Sequence, residues 1–136
     1  MPLYVVSKIA DALNDRCKSV KGSKITLLGM AYKKDVDDPR ESPGFEVMEL
    51  LLGKGADVDY NDPHISTLPR MRHYPELSMS SHALDPEYLA SRDCVVIVTD
   101  HSLYDWEWIV THAPLVIDTR NATRQVSVHR DRIIPA

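Results

Sequence analysis

The chain has 136 residues, of which 43% are hydrophobic and 26% charged, and these values are typical of a globular protein rather than a disordered or collagen-like one. Its 16 Lys and Arg residues against 20 Asp and Glu give a formal charge of -4, the opposite of the basic balance that nucleic-acid binding needs. No apolar run approaches the ~20 residues that span a bilayer, and the first residues do not have the pattern of a signal peptide. Composition therefore predicts a soluble, cytoplasmic protein of one domain that binds neither nucleic acid nor membrane.

The first predicted element is an amphipathic helix over residues 3–21, which Gly22 is suited to stop. Its apolar residues recur at helical spacing: Val5, Ile9, Leu13, Cys17 and Val20. A stripe of this length is a large surface to leave in water. We expect it either to fold back on its own domain or, as the favoured alternative, to form a homodimer through the 1–21 helix.

Four short segments further along the chain predict strands, with helical patterns between them. The strands are predicted at Lys24–Leu28, Asp57–Asn61, Asp93–Thr99 and Leu115–Asp118. A helix is predicted that starts near Ser42-Pro43 and stops within Gly53-Lys54-Gly55, and a short one is predicted around Pro86–Ser91. A turn or helix is predicted around Tyr104–Thr111. Residues 63–84 are mostly loop, and residues 125–136 remain unassigned. This alternation predicts an α/β fold with a doubly wound, mostly parallel, Rossmann-like sheet preceded by the N-terminal helix.

Polar and charged residues collect after each predicted strand, where an open parallel sheet binds its ligands. These segments are Gly29–Pro43, Asp62-Pro63-His64, Asp100-His101 and Thr119-Arg120-Asn121. The alternative is that loops are polar for any reason. Because a cation close to a strand end attracts phosphate, Lys33 or Lys34 together with Arg120 are candidates to hold a diphosphate.

The first of these loops excludes two common phosphate motifs. Gly29 stands alone after its strand, and the loop contains neither GxxxxGK[ST] nor GxGxxG, so a P-loop and a standard NAD pyrophosphate turn are both disfavoured. A receiver-type signalling domain is disfavoured as well. Its acidic cluster would fall at Asp37 and Asp38, well past the strand end, and Thr119-Arg120 does not match the lysine that follows a late strand in such domains.

The cysteines and histidines give no strong metal or nucleophile signal. Cys17 and Cys94 lie on apolar patterns without CxxC spacing, so we expect buried thiols in a reducing cytoplasm. The six histidines are scattered, without a pair at i, i+4, so a zinc site is disfavoured. No GxSxG motif or Cys-His pairing indicates a nucleophile.

The segment GMAYKKDVDDPRESP, residues 29–43, strongly resembles the C-terminal nucleotide-sugar-binding domain of the UDP-glucose/GDP-mannose dehydrogenase family. The resemblance continues through GADVDYNDPHI, DCVVIVTDHSLYDW and VIDTRN in the family's order, and MPLYVVSKIADALN is similar to the end of the family's central helix. It implies that residues 1–22 end a central dimerisation domain and that residues 23–136 form the nucleotide-sugar-binding domain. The version of the first loop is most similar to enzymes that oxidise UDP-N-acetylhexosamines at C6.

The resemblance implies the UDP-sugar-binding portion of an NAD-dependent UDP-N-acetylhexosamine or UDP-glucose 6-dehydrogenase of polysaccharide biosynthesis. The family's N-terminal NAD domain, the rest of its central domain and its catalytic cysteine have no match in this sequence, and neither Cys17 nor Cys94 matches that cysteine. The chain by itself is therefore expected to be catalytically incomplete, with those two domains as its partners. The alternative is a stand-alone, non-catalytic nucleotide-sugar-binding or regulatory module.

The family's site residues carry over at four positions. Tyr32 and Lys33 match the loop that contacts uridine diphosphate, and Arg120 matches an arginine that supports the nucleotide sugar. Arg40 matches an arginine that reaches the NAD pyrophosphate. The alternative for Tyr32 is packing within the loop, and the alternative for Arg40 is an ion pair with Asp37, Asp38 or Glu41.

Overall fold

The computed structural model describes residues 2–71, 74 and 77–136. The helices are α1 (Pro2–Asn14), α2 (Pro43–Gly53), α3 (Pro86–Ser91) and α4 (Trp106–His112), with a short 3-10 helix at Arg130–Arg132. The strands are β1 (Lys24–Leu28), β2 (Asp57–Asn61), β3 (Cys94–Ile97), β4 (Val116–Asp118) and β5 (Ile133–Pro135). They form one parallel sheet in the order β2-β1-β3-β4-β5, which confirms the predicted fold class.

Successive residues of a strand point to opposite faces of the sheet, and both faces are covered by helices. In β1, Ile25 and Leu27 belong to the core beneath α1 and α2, whereas Leu28 belongs to the core beneath α3 and α4. The connection from β1 to β2 thus runs over one face, and those from β2 to β3 and from β3 to β4 run over the other. This reversal falls between β1 and β3, so the crevice of the sheet lies at the carboxyl ends of these two strands.

Most predicted elements agree with the structure, and the differences have local causes. Strand β3 ends at Ile97 rather than Thr99, because the N–H groups of Val98 and Thr99 both donate to the carbonyl of Leu28, at 2.9 and 3.1 Å, as the chain turns away. Helix α4 begins after Asp105, whose side chain accepts a 3.2 Å hydrogen bond from the N–H of Trp108. Strand β5 lies in the segment that had no assignment.

Helix α1 ends at Asn14 and not at Lys21. The chain leaves the helix through a turn in which Cys17 adopts the left-handed conformation, with φ of 61°. Cys17 is exposed, so the prediction of a buried thiol is wrong there. It is confirmed for Cys94, where burial in the sheet raises the pKa of the thiol.

The apolar stripe of α1 folds back on its own domain. Val5, Ile9 and Leu13 are buried in the same core as α2 and the sheet. The stripe therefore takes the alternative that was not favoured, and the reason for expecting a homodimer through the 1–21 helix disappears. Among the described residues, no helix has the length and apolar character needed to cross a membrane.

The segment between β2 and α3 runs beside the outer edge of β2. The N–H of His82 donates to the carbonyl of Tyr60 at 2.9 Å, and the hydroxyl of Tyr60 donates to the carbonyl of Ile65 at 3.0 Å. Ile65 and Leu68 are buried in the core under α1 and α2. Part of the predicted loop at 63–84 is therefore packed against the sheet.

Candidate functional site

The loops that follow the strands meet at the carboxyl edge of the sheet, and two of them come into close contact at Gly29. Gly29 has φ of 89°, and a Cβ on it would lie 2.5 Å from the Cβ of Thr99 and 2.8 Å from the carbonyl oxygen of Thr99. The hydroxyl of Thr99 donates to the carbonyl of Ala31 at 2.6 Å. The loop after β1 is thus packed on the loop after β3, at a position where only glycine fits without strain.

Asp62, directly after β2, joins its own loop to the loop after β1. It is 2% exposed. Its Oδ2 accepts hydrogen bonds from the N–H groups of Met30 at 2.7 Å and Ala31 at 3.3 Å, and its Oδ1 accepts from the N–H of His64 at 2.7 Å. Backbone N–H groups thus take the place of the water that this buried carboxylate has lost.

His101, after β3, extends this arrangement to a third loop. Its ring is fully buried, with Nε2 3.0 Å from Oδ2 of Asp62, and its Nδ1 accepts a 2.8 Å hydrogen bond from the N–H of Asp35. Since Nδ1 accepts, the ring proton lies on Nε2 and is donated to Asp62. Asp35 has φ of 63°, and its carboxylate accepts from the hydroxyl and the N–H of Ser102. These two hydrogen bonds hold the pKa of Asp35 below its usual value.

Two of the histidines that look scattered in the sequence come together at this edge. The rings of His64 and His101 are 4.6 Å apart, and Nε2 of His64 is buried with no hydrogen-bond partner among the described residues. Asp35, His64 and His101 offer ligand atoms within 4.8 Å of one another. Both nitrogens of His101 already make hydrogen bonds, so a metal ion would have to break one of them. His73 lies outside the described residues.

Tyr32 and Lys33 project from the part of the first loop between Ala31 and Asp35. The N–H of Tyr32 donates to the carbonyl of Asp38 at 2.9 Å, while its side chain is 40% exposed. The Nζ of Lys33 lies 5.5 Å from the centre of the Tyr32 ring, within the range of a cation–π contact. An exposed aromatic face and an ammonium group therefore stand side by side.

Arg120 is fixed at the ends of β3 and β4. Its N–H donates to Oδ1 of Asp118 at 3.0 Å, and its side-chain Nε donates to the carbonyl of Val98 at 2.8 Å. Asp118 also accepts from the N–H of Ala122 and from the N–H and hydroxyl of Thr123. Burial alone would raise the pKa of Asp118, but these hydrogen bonds outweigh it and hold the pKa below its usual value.

We expect Asp118→Asn to lower the free energy of unfolding at pH 7 by about 1–3 kcal/mol, because the amide cannot accept all of these hydrogen bonds. A lowered folded-state pKa contributes stability above the unfolded-state value of about 3.9, and this contribution is lost as the pH falls below about 4. The difference in the free energy of unfolding between wild type and variant, measured by urea unfolding, should therefore become smaller from pH 7 to pH 3. A gap that stays constant over this range would show that the charge of Asp118 has no such role.

Three adjoining cavities form a groove along this edge of the sheet, which we call the edge groove. At one end, a cavity of about 330 Å³ is lined by Tyr32, Asp38, Arg40 and Glu41. A middle cavity of about 730 Å³ shares Arg40 and Glu41 with it, and at the other end one of about 200 Å³ is lined by Arg120, Thr119 and Val98 among others. Pro2 and Pro43 line both of the latter two. The structure thus places Tyr32 and Arg40 together and Arg120 at the opposite end, while Lys33 lies outside the three cavities, next to Tyr32.

Arg40 forms an ion pair with Asp38, the alternative considered for it from the sequence. Its Nη2 lies 2.7 Å from Oδ2 of Asp38, and its Nε donates to Oδ1 at 3.0 Å. Hydrogen bonds from the side chain and the N–H of Arg40 lower the pKa of Asp38 to about 2. Arg40 remains exposed at the border between two cavities of the edge groove.

Residues 26–125 match the UDP-glucose/GDP-mannose dehydrogenase family, UDP binding domain. The chain belongs to this family. Among curated relatives, this UDP-binding domain is 36% identical over 104 residues to a UDP-N-acetyl-D-mannosamine dehydrogenase of Methanococcus maripaludis. The matched stretch covers 76% of the chain and 22% of the relative. It is 33% identical over 125 residues to a UDP-glucose 6-dehydrogenase of Rickettsia prowazekii, which covers 88% of the chain and 28% of the relative.

Solved structures of the family share the fold of this UDP-binding domain. An NDP-N-acetyl-D-galactosaminuronic acid dehydrogenase of Methanosarcina mazei superposes with a TM-score of 0.79 and 25% identity, over 99% of the chain and 28% of that structure. A UDP-glucose dehydrogenase of Pyrobaculum islandicum gives a TM-score of 0.63 and 27% identity, over 92% of the chain and 28% of that structure. The UDP-binding domain spans about a quarter of the length of these relatives.

Sequence reasoning gave no role to Asp62, His101 or Thr99, which join the loops of the UDP-binding domain. For Asp62 and His101 the signal in the sequence was position alone, since each follows a predicted strand closely in a polar segment. Thr99 was predicted as the last residue of a strand. A polar residue directly after an apolar strand is common, so position could not show that Asp62 and His101 meet. Gly29 was noted only for failing to complete a glycine-rich motif, whereas its role is the close approach to Thr99.

Proposed function

We propose that this domain binds the nucleotide of a UDP-sugar in the edge groove, as the UDP-sugar-binding portion of an NAD-dependent 6-dehydrogenase acting on a UDP-N-acetylhexosamine or UDP-glucose. One observation carries the proposal. The loop that resembles the family's nucleotide-binding loop presents Tyr32 and Lys33 at the crevice of the sheet, and the edge groove continues from Tyr32 to Arg120. Names of relatives that include UDP-N-acetyl-D-mannosamine and UDP-glucose support the substrate class.

The roles of the three residues follow from their chemistry. The exposed face of Tyr32 offers a flat apolar surface on which a uracil ring stacks. Lys33, beside Tyr32, supplies a point charge for the oxygens of a diphosphate. Arg120, at the opposite end of the edge groove, offers a planar fork of donors to the sugar part of the ligand. The Nε of Arg120 is held by the carbonyl of Val98, and its two Nη atoms make no hydrogen bond to the described residues. The guanidinium is thus oriented in advance and keeps donors for a ligand.

The proposal includes NAD as the cofactor, bound mainly by a domain outside this chain, with Arg40 contributing a contact to its pyrophosphate. NAD would accept the hydride from the sugar C6. Arg40 fits this role in part, because its Nη1 has no hydrogen bond to the described residues, although Asp38 already offsets its charge. The N-terminal and central domains would be the partners of this domain. Both cysteines lie in the described part of the chain. Cys17 and Cys94 are free thiols there, which supports a reducing cytoplasmic location.

The proposed function is tested by titrating the chain with UDP and UDP-N-acetylglucosamine in calorimetry or ligand-observed NMR. We expect a Kd in the high-micromolar to millimolar range, about -4 to -5 kcal/mol, because the groove is open to solvent. Lys33→Ala and Arg120→Ala should each weaken binding by about tenfold, as expected for loss of a charge-assisted hydrogen bond.

Two further lysine variants make this experiment specific. Lys54→Ala removes an exposed lysine beyond the end of α2, away from the groove, and should leave the Kd unchanged. Lys34→Ala distinguishes the two lysines of the first loop. Because the diphosphate is placed on Lys33, this variant should weaken binding less than Lys33→Ala does. Unchanged binding in both Lys33→Ala and Arg120→Ala would contradict the proposed site.

A further inference from the structure

The segment that carries Tyr32 and Lys33 is held at both of its ends by one buried pair of side chains. Before Tyr32, the N–H groups of Met30 and Ala31 donate to the carboxylate of Asp62 at 2.7 and 3.3 Å. After Lys33, the N–H of Asp35 donates to Nδ1 of His101 at 2.8 Å. His101 and Asp62 are joined at 3.0 Å, so a single hydrogen-bonded chain connects both ends of the segment.

We infer that Asp62 and His101 are positioning residues, which hold the segment 30–35 in the conformation that presents Tyr32 and Lys33 to a nucleotide. This inference rests on the proposed function. Neither residue needs to touch the ligand. Their effect on affinity comes from fixing the segment before binding, which reduces the entropy that the ligand would otherwise have to overcome.

The direction of each hydrogen bond explains why these two residue types are required. Oδ2 of Asp62 accepts from Met30 and His101, while Oδ1 accepts from the N–H of His64. An amide at this position has one accepting oxygen and would turn its NH2 group toward a donor on the other side. His101 must donate at Nε2 and accept at Nδ1 at the same time, which an imidazole carrying one proton does.

A buried Asp–His pair is weak evidence for a stabilising role, because desolvation of the two groups offsets their attraction. The pair lies between three loops and bonds their backbone N–H groups. This placement favours local positioning over general stability. The two roles differ in outcome: a purely stabilising pair would change the melting temperature without changing the affinity of the folded protein.

The test compares wild type with His101→Gln and Asp62→Asn, with His112→Gln as the matched control near the end of α4. The NH2 group of glutamine stands at the position of Nε2 and donates to Asp62, but glutamine has no acceptor at the position of Nδ1 to receive the N–H of Asp35. We expect the amide of Asp35 to exchange at least about tenfold faster in His101→Gln, and UDP-N-acetylglucosamine to bind about tenfold more weakly in both variants, at a temperature where all are folded. The control should match wild type in both measurements.

A second measurement uses wild type alone and does not depend on a variant folding. The hydrogen bond from the N–H of Asp35 to Nδ1 of His101 leaves the ring proton on Nε2, where it is donated to Asp62. We expect the nitrogen-15 signals of His101 to show a proton on Nε2 and none on Nδ1. We also expect the amide of Asp35 to exchange at least about tenfold more slowly than it would in an unfolded chain.

The outcomes separate this inference from the proposed function. Affinity that is equal in wild type, His101→Gln and Asp62→Asn overturns the inference, whatever the melting temperatures. In wild type, a proton on Nδ1 of His101 or an Asp35 amide that exchanges as in an unfolded chain also overturns it. A wild-type chain that binds neither UDP nor UDP-N-acetylglucosamine contradicts the proposed function instead. Exchange of the Asp35 amide then still tests whether the pair holds the segment, and an unchanged rate in His101→Gln would overturn that too.

Discussion

Gly29→Ala is expected to lower the free energy of unfolding by about 2–5 kcal/mol, the sum of a strained backbone and an overpacked contact. The backbone at Gly29 has φ of 89°, and the new methyl group would lie 2.5 Å from the Cβ of Thr99. Thr99 cannot easily move away from the new methyl group, because its hydroxyl is hydrogen-bonded to the carbonyl of Ala31. Urea unfolding followed by circular dichroism measures the effect.

Gly53→Ala is the matched control for this prediction. Gly53 ends α2, and a Cβ on it would meet nothing within 4 Å. Alanine there should leave stability unchanged or raise it by up to about 1 kcal/mol, since it favours the helix and restricts the unfolded chain. Similar stabilities of the Gly29→Ala and Gly53→Ala proteins would show that the two loops are not in the close contact described.

Ile9→Asp is expected to destabilise the domain by at least about 3 kcal/mol, because it places a charge in an apolar core and removes a packed side chain. Ile9 is 0% exposed, whereas Leu3 on the same helix is 70% exposed. Leu3→Asp should therefore change the free energy of unfolding by no more than about 0.5 kcal/mol. Chemical denaturation of the two variants beside wild type gives the comparison.

The concentration dependence of wild-type stability also tests how the stripe on α1 is buried. If it were covered by a second copy, the stability of wild type would rise with protein concentration. We expect no such dependence, because Val5, Ile9 and Leu13 are covered by α2 and the sheet of the same chain. Equal effects of Ile9→Asp and Leu3→Asp would contradict the packing of α1 onto the sheet.

The sequence predicted the elements whose apolar pattern is complete within a few residues. β1 and β2 have the predicted bounds, and α2 begins at Pro43, directly after its cap Ser42, and ends at Gly53, as the cap and breaker residues indicated. Residues that leave regular structure for local reasons were not predictable. Nothing in the apolar pattern shows that Cys17 takes a left-handed conformation, and β5 is too short for its alternation to be distinguished.

For the candidate site, the sequence indicated the edge of the sheet but not the contacts made there. Tyr32, Lys33 and Arg120 come from a resemblance to a family, and their roles stay a proposal. The pairing of Asp62 with His101 depends on how two irregular loops turn, and neither pattern nor propensity determines that. The role of Arg40 could not be predicted either, because its sequence neighbours fit an ion pair with Asp38 and a ligand contact equally well. The structure has the ion pair.

The bonding of the outermost strands affects how this domain meets other copies of itself. An unprotected edge strand is a template for adding a strand from another molecule. On the β2 side, the carbonyl of Tyr60 is already bonded to the N–H of His82, so the chain between β2 and α3 occupies part of that edge. On the β5 side, the strand is three residues long and ends in Pro135, which has no N–H to donate. Both edges are thereby protected against strand addition, and contacts with other molecules are left to the side chains of the loops and helices.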